Sequence, residues 1–225
     1  MSKSDQAGHR ARLRQRFLTG GVDAIQDYEL LELLLCLSIP RRDVKPLAKD
    51  LIRRFGSYAE VISAPIDQLR KVPNVGESVV STLKLAEASA VRLAQGRVRH
   101  RPVLATWEAL LDYLRMSMDF QREEQFRVLF LDKKNCLMAD EVQHIGTVDH
   151  TPAYPREVVR RCLALGATAV ILVHNHPSGD PSPSREDIRM TKEIVKATEA
   201  LKIVVHDHIV VGGGRHVSFK SMGYL

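Results

Sequence analysis

The run Thr168-Ala169-Val170-Ile171-Leu172-Val173 is nearly all apolar, β-branched at its core, and ends at His174. A short run of this kind reads as a strand buried on both faces, which calls for a sheet with helices flanking it. Strand side chains alternate in direction. His174 and His176 therefore point to one side and Asn175 to the other, provided the chain stays extended to Pro177, which itself favours an extended His176. Ser178-Gly179-Asp180-Pro181-Ser182-Pro183 admits no regular structure, and a helix is expected from Ser184 towards Leu201. Asp187 then falls in the first turn of that helix, where the loop brings the chain back.

Two imidazoles and one carboxylate are the ligand set of a catalytic zinc, which takes three protein ligands and leaves one position for water. One Zn²⁺ per chain, held by His174, His176 and Asp187, is the expectation. Ser184-Arg185-Glu186-Asp187 also has the form of a capping box with Asp in place of Glu or Gln, so Ser184 and Asp187 can serve the helix amides as well. Cys36, Cys136 and Cys162 are odd in number and lack Cys-x-x-Cys spacing. They read as reduced core thiols, against disulfides, a Cys-ligated metal or the zinc deaminases.

Around this segment the second half alternates strand and helix. Helices are expected over 106–118 and 155–165, strands over 126–131 and 136–142, and a closing hairpin of 203–211 with 216–219 through Gly212-Gly213-Gly214. Simple alternation along 203–210 places His206 and His208 on one face and Asp207 on the other. Ordinary sheet packing is the first reading of these two histidines; support of a zinc ligand through its free N–H is the second.

The first half differs in pattern and in charge. Residues 1–101 carry 18 Lys/Arg against 11 Asp/Glu, net +7, and the remainder is net −1. An excess confined to one half reads as a nucleic-acid footprint. Dense leucines over 28–39, a cap at Asp43, a capping box at Ser57 to Glu60 and a long helix from Glu77 to Gln95, stopped by Gly96, make this half helical. Val72-Pro73-Asn74-Val75-Gly76-Glu77 is similar to the turn of a helix-hairpin-helix motif, whose backbone amides, here near Asn74 and Gly76, hold a phosphate without reading sequence. Arg10, Arg12 and Arg14 offer a basic helix for the same non-specific DNA, or simply a solvated face. No apolar stretch is long enough to span a membrane, and the polar start of the chain lacks a signal-like core, which places the protein in the cytoplasm.

His174, His176, Ser184 and Asp187 match the JAMM motif of the JAB/MPN metalloprotease superfamily without a gap. The wider context resembles the RadC family, in Pro155-Arg156-Glu157-Val158-Val159, the His174 to Asp180 run, Asp207-His208-Ile209-Val210 and Val217-Ser218-Phe219. Gly8 to Arg14 and Ile39 to Ala48 match it too, so the likeness covers essentially the whole chain. Pattern, charge and this resemblance together lead to the expectation of an α+β protein in three parts. These are a helical, helix-hairpin-helix-like domain over 1–96, an unpacked basic linker over 97–103, and an α/β/α metalloprotease-like zinc hydrolase domain with a mixed sheet over 104–225. It also implies a catalytic Glu upstream of the histidines, which takes a proton from the attacking water and passes it to the leaving group. Glu141 is the match by position, Asp140 its rival on the opposite strand face, and Glu123, Glu124 and Glu157 read as surface charges. Ser184 donates to the developing oxyanion. RadC-family members carry a DNA-repair label.

The function expected is zinc-dependent hydrolysis of a peptide or isopeptide bond, linked to DNA through the first domain. Deubiquitinating members of the superfamily carry Ser or Thr where this chain has Asn175, so the substrate preference does not transfer. A DNA-binding repair or recombination protein with a structural or residual zinc, or a single-metal nuclease, are the alternatives.

Overall fold

Capping side chains divide the first ninety residues into short helices. The computed structural model describes residues 3–98, 102–146 and 154–225, and the chain divides into two compact units, Met1–Ala90 and Val91–Leu225. The first holds α1 (Lys3–Gly20), α2 (Asp27–Ser38), α3 (Lys45–Phe55), α4 (Tyr58–Ser63), α5 (Ile66–Leu69) and most of α6 (Glu77–Val98). Gln26 and Glu29 cap the start of α2 reciprocally, Asp43 Oδ1 accepts from the Lys45 amide at 3.0 Å, and Ser57 Oγ accepts from the Glu60 amide at 3.2 Å. Leucines at helical spacing, Leu31 with Leu35 and Leu47 with Leu51, meet Val61, Leu69, Val79 and Leu83 in one core.

Two parts of this unit differ from the sequence expectation. The Arg10 guanidinium donates to the carbonyls of Ile39 (3.2 Å), Pro40 and Arg42. It satisfies orphan acceptors beyond the end of α2 and is not free for phosphate, whereas Arg12 and Arg14 are exposed. The expected helix-hairpin-helix reduces to a single turn of helix, α5, a tight loop, and α6. Val72 and Val75 bury in the core, Asn74 takes a positive φ of 66°, and Glu77 is paired with Arg70 at 2.8 Å.

In the second unit β1 (Glu124–Leu131), β2 (Leu137–Gly146), β3 (Ala169–Asn175), β4 (Val204–Gly212) and β5 (Arg215–Ser218) form one sheet in the order β2-β1-β3-β4-β5. Only β3 and β4 run parallel. All seven residues of β3 are buried, as its unbroken apolar pattern requires. α7 (Trp107–Met118) covers one face, over Leu129, Ile171, Val173 and Ile209. α8 (Pro155–Leu165) and α9 (Arg185–Glu199) cover the other, with Val158, Cys162 and Ile194 over Phe126, Val128, Phe130, Val170 and Leu172. The sheet is therefore mixed and sandwiched between helices, as the alternating pattern suggests. β4 and β5 are joined by Gly213-Gly214, both at positive φ (60° and 74°), the backbone that a two-residue hairpin demands.

Simple alternation fails on β4. The register with β3 slips between Val170↔Val205 and Ile171↔Asp207, so His206 is the extra residue of a bulge. His206 turns to the α7 side, where Nε2 meets Asn135 Oδ1 at 2.6 Å, and His208 alone faces α9. The two histidines lie on opposite faces.

Gly96 does not end α6. The helix continues to Val98, and Ala94 and Val98 bury beside α7 in the core of the second unit, so the expected linker is helical and packed at its start; residues 99–101 lie outside those described. A Cβ at Gly96 would meet nothing within 4 Å. Gly96→Ala should thus stabilise the protein by about 0.5–1 kcal/mol, the helix-interior difference between the two residues. Urea melts read this directly, and destabilisation would restore a left-handed helix stop at Gly96.

Candidate metal centre

β3 ends where three donor side chains meet. His174 is its sixth residue and His176 follows its last, its backbone amide donating a hydrogen bond to the Val211 carbonyl at 2.8 Å. The loop after it packs on the β4–β5 hairpin so closely that a Cβ on Gly213 would lie 2.6 Å from the Gly179 carbonyl oxygen. Ser184 then caps α9. Its Oγ accepts from the Asp187 amide at 3.1 Å, and Asp187 Oδ2 accepts from the Ser184 amide at 2.7 Å. The capping reading holds, and it is compatible with the ligand reading, because the reciprocal cap fixes the Asp187 carboxylate facing the histidines.

His174 Nε2 lies 2.9 Å from His176 Nε2 and 3.4 Å from Asp187 Oδ1, and His176 Nε2 lies 3.7 Å from Asp187 Oδ2. A tetrahedral ion with bonds of about 2.0–2.1 Å spaces its donors roughly 3.3 Å apart, so the two nitrogens and one Asp187 oxygen have the spacing to surround one zinc-sized cation. Among the described residues these three are the group that could hold a metal ion. The outer nitrogens support this. His176 Nδ1 donates to the Asp180 carbonyl at 2.7 Å, and His174 Nδ1 meets His208 Nε2 at 2.8 Å. Lone pairs on two nitrogens and a carboxylate facing one another repel unless a cation, a proton or a metal ion, sits among them.

The electrostatics agree. Burial opposes ionisation of Asp187, yet the His174 and His176 rings beside it, with the Ser184 side chain, outweigh it and hold the carboxyl below the usual carboxylate range. The nearby Asp187 carboxylate raises the His176 pKa against its burial, with the Asp180 carbonyl and the Glu124 charge adding to it. Burial, with His174 beside it, keeps His208 neutral.

Glu141 is not brought to this cluster. It sits opposite Val128, itself opposite Leu172, which puts it two strands away, about 9–10 Å across the sheet, and one pleat short of His174. Its carboxylate is paired with Arg161 of α8, through Nε at 2.8 Å and through Nη2, which holds it below the usual carboxylate range. Asp140 does lie on the opposite face, on Tyr113 and on Arg127 at 3.2 Å.

The residue that sequence reasoning set aside is Glu124. Phe126 pairs with His174 in the antiparallel ladder, so Glu124, two residues earlier on β1, falls on the same face across from His176. Asn175 brackets it: Oδ1 accepts from the Gln125 amide at 2.9 Å and Nδ2 donates to the Glu123 carbonyl at 3.1 Å. An amide side chain can do both at once, and it thereby carries the β1–β3 pairing one residue further. The signal for Glu124 was present in the alternation Glu124-x-Phe126-x-Val128. Which strand pairs with β3 was not.

Replacing both His174 and His176 with Ala should strip bound metal. Elemental analysis of the purified protein checks this, and undiminished metal would show that the ion is held elsewhere.

No described helix is long and apolar enough to cross a membrane. Residues 104–224 match the family model of the RadC-like JAB domain. A UPF0758 protein of Rhodobacter capsulatus is 60% identical over 213 residues, covering 95% of this chain and all of the relative. A second, from Ruegeria pomeroyi, is 56% identical over 217 residues, covering 96% and 97%. With the two histidines at the end of a buried strand, the capped aspartate facing them, and likeness along nearly the full length, the chain belongs to the RadC-like JAB domain family.

Proposed function

We propose that the second unit is a zinc-dependent hydrolase that cleaves a peptide or isopeptide bond, with Glu124 as its general base and Ser184 as its oxyanion donor. The observation that carries this reading is the meeting of His174 Nε2, His176 Nε2 and an Asp187 oxygen, with the Glu124 charge close enough to act on His176. Zinc in such a set supplies Lewis acidity, lowering the pKa of water and polarising a carbonyl oxygen. Glu124 takes the proton of the attacking water and returns it to the leaving nitrogen. It suits this better than Glu141, whose oxygens are engaged by Arg161. Ser184 is exposed at the rim and accepts from the Asp187 amide through Oγ. A hydroxyl that accepts still has its proton to donate, here to the carbonyl oxygen as it becomes negative. Asn175 fixes the backbone on both sides of Glu124, so its place in the motif is explained without reference to substrate.

The charge asymmetry favours one addition. Residues 1–101 are net +7 and expose Arg12 and Arg14, so we propose weak, non-specific duplex DNA binding by this part of the chain. With Arg10 occupied, about two or three phosphates are engaged, and the logarithm of affinity should fall with log salt at a slope near −2 to −3 in the full-length protein. Arg12→Ala/Arg14→Ala should lower that slope; no binding at low salt would remove DNA from the account.

The hydrolase reading is tested by offering zinc-loaded protein peptide and nucleic-acid substrate libraries side by side. Glu124→Gln should keep the metal and the fold and lose about 10²–10⁴-fold in hydrolysis. Ser184→Ala should lose about 10²–10³-fold, and Glu141→Gln less than either. Parent-rate hydrolysis by Glu124→Gln would exclude it as the base, and cleavage of nucleic acid alone would replace the peptide reading with a nuclease.

A further inference from the structure

One chain of hydrogen bonds leaves the metal ligands at His174 and returns to them at Asp187. His174 Nδ1 meets His208 Nε2 at 2.8 Å, His208 Nδ1 meets Thr191 Oγ1 at 2.6 Å, and Thr191 Oγ1 donates to the Asp187 carbonyl at 2.6 Å. His174, His208 and Thr191 are each no more than 1% exposed, so these direct contacts are closed to bulk solvent. Phe126 and Phe219 pack on the His208 ring, with centroids at 5.9 and 4.4 Å.

The proton positions along this chain are dictated from its far end. A backbone carbonyl can only accept, so the Thr191 hydroxyl donates to Asp187 and must accept from His208. His208 therefore carries its proton on Nδ1 and presents a lone pair at Nε2. His174 must fill that lone pair from Nδ1, which leaves the His174 Nε2 lone pair directed at Asp187 and His176. From this we infer that His208 and Thr191 are positioning residues that lock His174 in the one tautomer able to ligate a metal ion through Nε2, with the Asp187 carbonyl setting the direction. The ring of bonds spans β3, β4 and α9, so it also fixes the distance between the His174 and Asp187 ligands. It rests on the metal-site reading for its purpose but not for its polarity.

The experiment pairs Zn²⁺ affinity, measured by competition with a chromophoric chelator, with the His174 tautomer, read from ¹⁵N shifts of the imidazole in metal-free protein above the titration of His176. Thr191→Val keeps the shape and removes the hydroxyl, and should weaken Zn²⁺ binding about 10–100-fold while mixing the His174 tautomers. His208→Leu should do the same. Thr191→Ser, which keeps the hydroxyl, should restore both to the parent values, with circular dichroism confirming that each variant is folded. Parent affinity and a single Nδ1–H tautomer in Thr191→Val would overturn the proposal. Failure of the metal-site reading is distinguishable: the parent protein, or the His174→Ala/His176→Ala variant compared with it, would show no site-dependent zinc, while the tautomer measurement would still decide the direction of the bonds.

Discussion

Burial of β3 on both faces is the constraint from which the second unit follows. A strand without a solvent face needs helices above and below it, and β3 also lies inside the sheet, between β1 and β4. Polar groups are tolerated on it only where they are partnered. His174 and Asn175, at 1% exposure each, are both partnered, in opposite directions. One points to the ligand cluster, and the other reaches sideways to the next strand. The strand thus ends in two polar side chains that order its surroundings: the ligands on one face, and the start of β1 beside them.

Asp187 combines two demands that compete in most proteins. A carboxylate in the first turn of a helix is stabilised by the capping amides and by the helix dipole, an arrangement worth about 0.5–2 kcal/mol for the cap. Here Oδ2 accepts the Ser184 amide while Oδ1 faces His174. Folding therefore sets the carboxylate's orientation by itself, and the cap residue Ser184 is delivered to the rim of the same cluster. The spacing Ser184-x-x-Asp187 is what a capping box needs and what this site needs, for one geometric reason.

The legible parts were those written in local pattern. The apolar run of β3, the His174-x-His176 alternation, the Gly/Pro loop and the helix start at Ser184 each follow from neighbours within a few residues, and the three donors meet accordingly. What escaped depended on distant partners. Glu141 and Glu124 both lie on a strand face that points the same way, and only the strand order, with β1 between β2 and β3, separates the one near His176 from the one held by Arg161. The His206 bulge is invisible without the register of β3 against β4. Arg10 looked like a free cation because the carbonyls that occupy it lie some thirty residues away. Gly96 looked like a helix stop because glycine usually is one, whereas burial of Val98 carries the helix past it.

Cation binding by His174, His176 and Asp187, with one position left open, is what the fold is proposed to prepare at the end of β3. A crystal structure of zinc-soaked protein, with anomalous data collected on both sides of the zinc absorption edge, tests this most directly. The expected result is a single strong peak per chain, bonded at about 2.0–2.1 Å to His174 Nε2, His176 Nε2 and an Asp187 oxygen, with His208 still on His174 Nδ1. A peak elsewhere, ligation of His174 through Nδ1, or a fourth protein ligand closing the coordination sphere would contradict it.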